Sequence, residues 1–501
     1  MKKFVIIGSG SAGLIAAGMI KKYWKDGVDI TVIHDKSQGS IAVGESTTPY
    51  IHAFLTFCGI SEKDLIRDLD VTIKLGINFK NWIPDTEYFH GFGQITGQNG
   101  WNKLRSSDPS ATYSILNDVY SGGSLYNEPM TKVPTTIFDN FSHALHIDTR
   151  QFTDYLYEKL NGDIKFVDDV VTRVRVNTEC TKIESVECKY NGIFDADYFI
   201  DASGFNTILF KHLNPKWNDM SKYLPIDRAI PQQIPYDFKD ELPSYTLAEA
   251  TDNGWIWRIP IGDRYGTGYL YSSKFTSDEE AREKYNDWLV ENFDTELTSD
   301  RIIKYRPGYY EDYWMGNCLA VGLSSGFVEP LESTGIHIII KQIQEFINYN
   351  SNLKNLEFNR KSANLINKNI YVDVVNFVAL HYNTNRTDSE FWKHVKDNKP
   401  DWVKDIDEKI REGSVDASIY RNNPLSSLWT LDSYVQVTNG LKMISKESIQ
   451  NHLNSKPEGN GVFASGEQIL EVCKNMHDCE VSEKNNQIFV SHKGIIDSIH
   501  K

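Results

Sequence analysis

Lys2-Lys3-Phe4-Val5-Ile6-Ile7-Gly8-Ser9-Gly10-Ser11-Ala12-Gly13-Leu14 opens the 501-residue chain, directly after Met1. The apolar run Phe4 to Ile7 reads as a short buried strand. Gly8, Gly10 and Gly13 then complete a G-x-G-x-x-G spacing. A helical stretch follows from about Leu14 to Trp24, and Ile30 to Ile33 reads as a second strand. Strand, glycine turn, helix and strand in this order open an α/β dinucleotide-binding fold. The first glycine permits the tight turn, the second lets a pyrophosphate approach the backbone, and the third lets the helix pack close to the sheet. The helix start offers free N–H groups and partial positive charge to the phosphates. Gly8, Ser9, Gly10, Ser11, Ala12 and Gly13 are therefore the expected cradle. An acid after the second strand should hold the ribose. Asp35 can do so, although His34 stands where many related folds place the acid.

The same start imitates a signal peptide, but its glycines interrupt the apolar run and a second strand follows. No other stretch has about 18 unbroken apolar residues, so no membrane span is expected. Lys+Arg 53 against Asp+Glu 68 gives a net charge of −15. That disfavours nucleic acid as a partner, since phosphate neutralisation needs concentrated positive charge. Trp 11, Tyr 26 and Phe 24 supply a large aromatic core and argue against disorder. Six scattered cysteines fit a reduced, cytoplasmic compartment better than a disulfide scaffold. Cys473, His477 and Cys479 match no familiar zinc spacing, so no metal is expected.

Further along, Val71 to Phe79 alternates strictly and predicts one amphipathic strand with Thr72, Lys74, Gly76 and Asn78 on its wet face. Residues 85–140 are rich in Gly, Asn, Ser and Pro and read as a loop-rich insertion. Strand signals return over Ile164–Val176 and Ile183–Ile200, and Trp255–Ser273 reads as a hairpin about Gly262-Asp263-Arg264. Ile336 to Tyr349 has helical spacing, as does most of the chain to about Ser427; the last fifty residues give no clear reading. The expected division is a Rossmann-like module with a mixed sheet over 1–345 and a mostly helical substrate-side subdomain and tail over 346–501. Two later signatures, Tyr198-Phe-Ile-Asp-Ala-Ser-Gly-Phe205 and Leu319-Ala-Val-Gly-Leu-Ser-Ser-Gly326, favour FAD over NAD. An extended dinucleotide needs several such backbone contacts; a lone Rossmann unit does not.

Trp255-Ile-Trp-Arg-Ile-Pro260, Lys74-Leu-Gly-Ile-Asn-Phe79, Gly44-Glu-Ser-Thr-Thr-Pro49 and Phe327-Val-Glu-Pro-Leu-Glu-Ser-Thr-Gly335 together resemble the flavin-dependent halogenases of the tryptophan-halogenase type. The match runs, with gaps, from residue 1 to about 440 of this sequence. The resemblance implies that reduced FAD and O₂ form a flavin hydroperoxide, which oxidises chloride, bromide or iodide to hypohalous acid. It implies that Lys74 delivers this oxidant to an aromatic, indole-like substrate, while Glu332 stabilises the cationic arene and assists loss of its proton. Trp255 and Trp257 would keep the substrate from the flavin, although two tryptophans at i and i+2 also simply pack one face of a strand. The amides of Thr334 and Gly335 would hold the halide. Gly44, Ser46, Leu323 and Ile336 would touch the flavin, and Val170 the adenine. FADH₂ would come from a separate flavin reductase, because no second nucleotide-binding loop is evident; homo-oligomerisation is left open.

Enzymes of this type that act on free tryptophan carry paired tyrosines, a glutamate and a tryptophan in the C-terminal third. Here Leu428-Trp-Thr-Leu-Asp-Ser-Tyr434 offers Trp429 and one tyrosine. A more open site, accepting indoles or other aromatics, is the expectation. The competing readings are an NAD(P)H-dependent FAD aromatic monooxygenase and a non-catalytic flavin-binding protein.

Overall fold

Phe4, Val5, Ile6 and Ile7 are all buried, so the first strand is covered on both faces, as a continuous apolar run in a parallel sheet requires. A computed structural model of the chain describes residues 1–37, 44–92, 131–135, 137–138, 142–239, 241–412, 428–443 and 489–500. The strand Lys2–Ile7 lies inside a six-stranded sheet, ordered Trp314–Met315, Cys318–Ala320, Tyr198–Asp201, Lys2–Ile7, Val28–His34 and Lys165–Asp168. All neighbours pair in parallel except the first two. Phe4 and Ile6 pack with Leu14, Ile15 and Ile20 of the following helix, Ser11–Trp24. Val5 and Ile7 face the other way, onto Val186, Phe199 and Phe210.

A seven-stranded mixed sheet follows the order Ile303–Lys304, Arg228–Pro235, Arg264–Tyr271, Gly254–Ile261, Tyr245–Ala250, Gly76–Lys80 and Glu87–Gly91. The hairpin about Gly262 is present, with Trp257 opposite Gly268. The helices Glu357–His381, Glu390–Asp397, Asp401–Arg411 and Leu431–Gly440 cover this sheet. Val374, Phe377 and Val378 meet Phe79, Trp82 and Trp255 in a second core. The chain is thus α/β, with mixed sheets and a helical C-terminal region.

Two expectations are corrected here. Val71–Phe79 is not one half-wet strand. The chain breaks at Leu75, whose N–H donates to the Ser244 carbonyl (2.7 Å). Thr72–Lys74 joins a small sheet with Glu45–Ser46 and Ala144–Ile147, while Gly76–Lys80 joins the seven-stranded one. Residues 71–79 are all buried, because other elements cover what alternation marks as the polar face. Second, the stretch read as loop-rich begins with a regular strand. Glu87–Gly91 pairs antiparallel with Gly76–Lys80, tertiary pairing having overridden a weak local signal. Residues 93–130 lie outside the described residues. Near the other end, Phe489–Ser491 pairs with Lys132–Pro134, and the His492–His500 helix packs in the first core through Ile496.

Asp201 ties the two later signatures together. Its carboxylate accepts from the amides of Ser203, Leu209 and Phe210 and from the Ser203 and Ser324 hydroxyls, at 2.5–3.1 Å. Asp201→Ala strands buried donors, each costing roughly 1–3 kcal/mol. The variant should lose about 2–4 kcal/mol of stability in urea denaturation; an unchanged midpoint would contradict this account of the junction.

Candidate functional site

The glycine loop is built for close approach. Gly8 has φ +108°, and a Cβ there would lie 2.4 Å from the Ala202 carbonyl oxygen. A Cβ on Gly13 would lie 2.0 Å from the Gly8 oxygen, whereas one on Gly10 meets nothing within 4 Å. The Ser11–Trp24 helix has Gly10 as its N-cap and no side-chain cap, so its first amides remain for an anion. The Ser11 Oγ and the His34 Nε2 are buried without a protein partner, which marks a place for a polar ligand group. The cradle therefore fits a dinucleotide.

His34 is joined to the loop. Its Nδ1 lies 2.7 Å from Ser9 Oγ, while Asp35 Oδ1 accepts from the amide and hydroxyl of Ser37. The Asp169 amide donates to the His34 carbonyl, which sets Val170, 42 % exposed, beside the end of the second strand. Leu323 follows Gly322, whose φ is +64° and whose Cβ would lie 2.9 Å from Ala12 Cβ. That tight contact seats the Gly322–Ser324 turn on the start of the first helix. Ile336 is buried in the first turn of the Gly335–Asn350 helix.

A Cβ on Gly44 (φ +73°) would lie 2.5 Å from Ile261 Cδ1, and a polar chain runs inward from half-buried Ser46 nearby. Ser46 Oγ, Thr246 Oγ1, His146, Thr72 Oγ1 and the Pro260 carbonyl are linked in that order at 2.7–3.1 Å. The Pro260 oxygen can only accept, which directs every proton in the chain. Thr72 donates to Pro260, His146 donates from Nδ1 to Thr72, and Thr246 donates to His146 Nε2. Burial first, and then the Lys74 charge, hold His146 well below the usual imidazole range, consistent with this neutral tautomer.

Lys74 is fully buried. Its Nζ donates to the Thr47 carbonyl (2.9 Å) and to Ser333 Oγ (3.0 Å), and lies 5.2 Å from the centre of the Phe92 ring. Burial lowers its pKa to about 7, with Glu332 pulling the other way. The strand beneath it is held from the tail: His492 Nε2 accepts the Ile73 amide at 2.9 Å.

Glu332 is 3 % exposed, not a solvated acid at a helix start. Both its oxygens lie 3.0 Å from His90 Nδ1, and Oε1 lies 2.8 Å from His381 Nε2. The His381 approach is a close ion-pair contact rather than an aligned hydrogen bond. Burial alone would push the carboxyl up; His90 and His381 more than offset it and hold it at about 2. On the other side of the same ring, His381 Nδ1 faces the Phe377 carbonyl (2.9 Å). Two residues on, Thr334 caps the Gly335–Asn350 helix without a side-chain bond, and a Cβ on Gly335 would meet only open space. These first-turn amides suit a small anion.

Trp255 and Trp257 share one face of their strand and lie in the second core with Val328 and Leu331. Trp257 covers Gly268, where a Cβ would strike its ring at 2.1 Å. Trp255 Nε1 donates to Glu329 Oε2 (2.7 Å), and the Tyr382 hydroxyl donates to the same oxygen (2.6 Å). Burial pushes Glu329 up to about 7 against the pull of these two bonds. In the C-terminal third, Trp429 stacks on Phe377 with ring centres 4.1 Å apart. The Tyr434 hydroxyl donates to Asp373 (2.6 Å). Gln436 Oε1 accepts the Gly91 amide (3.0 Å), between His90 and Phe92.

The structure thus brings Lys74, Glu332, Thr334, Gly335 and Trp255 to one segment, Phe327–Gly335, and gathers the glycine loop, His34 and the Leu323 turn at another place. His90, His381, Glu329, His146 and His492 were not singled out by the sequence; only the buried-acid neighbours of P-L-E-S-T-G, once known to be buried, signal the need for such partners. Cys473, His477 and Cys479 lie outside the described residues.

A sequence profile of the tryptophan halogenase family matches residues 3–456. Tryptophan 7-halogenase RebH of Lentzea aerocolonigenes is 30 % identical over 494 residues, covering 88 % of this chain and 90 % of that protein. Tryptophan 6-halogenase SttH of Streptomyces toxytricini is 31 % identical over 426 residues, covering 79 % and 80 %. The crystal structure of the Streptomyces toxytricini enzyme superposes with a TM-score of 0.84 at 27 % identity, with 100 % of each chain covered. Among the described residues no helix is long and apolar enough to cross a membrane. The chain belongs to the tryptophan halogenase family and is an FADH₂-dependent halogenase.

Proposed function

We propose that Lys74 and Glu332 are the catalytic pair of this halogenase and that its substrate is an indole-like aromatic rather than free tryptophan. The observation that carries the first part is the buried amine of Lys74, bonded to neutral oxygens and flanked by an acid locked between two histidines. FAD would be held by Gly8–Gly13, with Asp35 or His34 near the ribose, Val170 near the adenine, and Gly44, Ser46, Leu323 and Ile336 near the ring. Bound as FADH₂ it supplies, with O₂, the two-electron oxidation of halide to hypohalous acid.

The Thr334 and Gly335 amides hold the halide beside the start of their helix. Lys74 receives the oxidant. As an ammonium it donates a hydrogen bond that makes the halogen more electrophilic; as an amine it carries the halogen itself. Glu332, held anionic by His90 and His381, faces positive charge developing on the ring and takes its proton. Trp255 and Trp257 separate the substrate from the flavin. A separate flavin reductase supplies FADH₂, and the enzyme works in the cytoplasm.

The second part rests on Tyr434. Its hydroxyl is engaged by Asp373, so this tyrosine, the one offered by the Leu428–Tyr434 stretch, is committed to the fold rather than to gripping an amino acid. Tryptophan halogenation by the relatives keeps the amino acid itself as the alternative substrate.

With FAD, a flavin reductase, NADH, O₂ and an indole, Lys74→Ala should still consume reduced flavin but yield at least about 100-fold less halogenated product by mass spectrometry, a general acid–base-sized loss. Full product yield would remove Lys74 from the mechanism, and NADH oxidation without the reductase would favour the monooxygenase reading. In the same assay with chloride, bromide and iodide compared, simple indoles should turn over more efficiently than free tryptophan; equal efficiency would refute the open site. A third measurement concerns charge. The Lys74 amine should titrate near pH 7 by lysine side-chain NMR, ammonium below and neutral above. Because Glu332 raises this value, Glu332→Gln should move the midpoint further down; an unchanged midpoint would show that the two groups do not interact.

A further inference from the structure

Behind the strand that carries Lys74, three side chains converge that the halogenase reading does not use. His52 lies in the helix Ile51–Cys58, Glu62 begins the helix Glu62–Asp68, and His143 immediately precedes the strand Ala144–Ile147. One ligand atom from each lies within 4.8 Å of the other two. His143 Nε2 is 2.6 Å from Glu62 Oε1, and His52 Nδ1 is 3.8 Å from Glu62 Oε2. The side chains are only 6 %, 16 % and 30 % exposed for His143, Glu62 and His52. The two imidazoles meet edge to face with centres 4.6 Å apart.

Tautomer logic gives the cluster a direction. His52 Nε2 lies 3.1 Å from the His143 carbonyl, which can only accept, so the proton sits on Nε2. Neutral His52 then turns its Nδ1 lone pair toward the Glu62 carboxylate. Two electron-rich groups facing each other call for a cation between them. The outward N–H of His52 is anchored to a backbone carbonyl, the arrangement that fixes a metal-binding imidazole in structures generally. Two imidazoles and one carboxylate, with a side open to solvent, are a donor set for a borderline divalent ion of the zinc and cobalt class.

We propose that His52 Nδ1, His143 Nε2 and the Glu62 carboxylate bind one such ion, with water completing a four-coordinate site. On binding, His143 gives up its Nε2 proton to solvent and exchanges its bond to Glu62 for a bond to the metal. The ion would clamp the segment after the Gly44–Pro49 turn to the strand Ala144–Ile147. That strand pairs with both Glu45–Ser46 and Thr72–Lys74, with Ala144 directly opposite Lys74. The site would therefore brace the wall behind the catalytic amine without touching substrate. The sequence carries no signal for it, since Glu62 and His143 are 81 positions apart.

The test uses the full-length enzyme after chelator treatment and dialysis. Titration with Co(II) should give the visible absorption of tetrahedral cobalt, saturating at one equivalent and displaced by Zn(II). The variants His143→Ala and Glu62→Gln should bind Co(II) roughly 10-fold more weakly or worse. Zn(II) in excess should raise the wild-type Tm by about 1–3 °C and leave that of the variants unmoved. Equal binding and equal Tm shifts in wild type and variants would overturn the proposal. Should the variants misfold, the wild type alone decides. Zn(II) should protect His52 and His143 from diethyl pyrocarbonate, read by peptide mass spectrometry, while other modified histidines remain reactive. Labelling of these two at an unchanged rate would equally overturn it.

Discussion

A primary amine removed wholly from water is the constraint around which this molecule is organised. Taking an ammonium into a protein interior costs several kcal/mol even after relaxation, and among the described residues no direct ion pair to Lys74 repays that. Its bonds go to the Thr47 carbonyl and the Ser333 hydroxyl, neutral acceptors that tolerate either charge state. A carboxylate in contact would have fixed the proton on the amine. Placing Glu332 near but not in contact, and binding it to His90 and His381 instead, leaves the amine poised to gain or lose a proton at neutral pH.

That arrangement depends on one short segment. Phe327–Gly335 leaves the short strand Gly326–Phe327, paired with Gly308–Tyr310, contributes Val328 and Leu331 to the second core, and turns at Ser333 through a φ of +59°. The left-handed residue is what lets Ser333 reach Lys74 while Thr334 opens a helix. Glu329 meanwhile fastens the segment to Trp255 and Tyr382. The aromatic wall, the amine, the acid and the helix start therefore share one mechanical support. Displacing it by an ångström would disturb all four, which is the kind of positioning on which rates depend steeply.

What the sequence made legible followed from local rules. The glycine loop is readable because the close backbone approaches at Gly8 and Gly13 can be met only without a Cβ. The Trp255–Ser273 hairpin is readable because its alternation and turn lie within twenty residues of each other. Lys74 shows where local reasoning stops. Alternation marks two faces but not which of them meets water, and here the break at Leu75 sends the two halves into different sheets. His90, His381 and His492 come from an edge strand, a helix end and the tail, and no periodicity links such distant positions. Nor does periodicity show that His34, next to the expected Asp35, lies against Ser9 of the loop, while Asp35 accepts from Ser37.

The polar chain from Ser46 to Pro260 adds a physical link between the two ends of the site. Every member beyond half-buried Ser46 is buried, and the carbonyl at its end fixes the direction of each hydrogen bond. Such a chain is rigid because reversing any one proton would leave a buried lone pair facing another, at a cost comparable to a lost hydrogen bond. Protonating His146 would break its acceptor role toward Thr246, and both burial and the charge of Lys74 oppose that protonation. The amine thus helps to keep neutral the imidazole that orders its own strand, and the ordered strand keeps the amine out of water. The Gly44–Pro49 turn and Lys74 are held in register by this mutual dependence, with Thr47 bonded to the amine and Ser46 heading the chain.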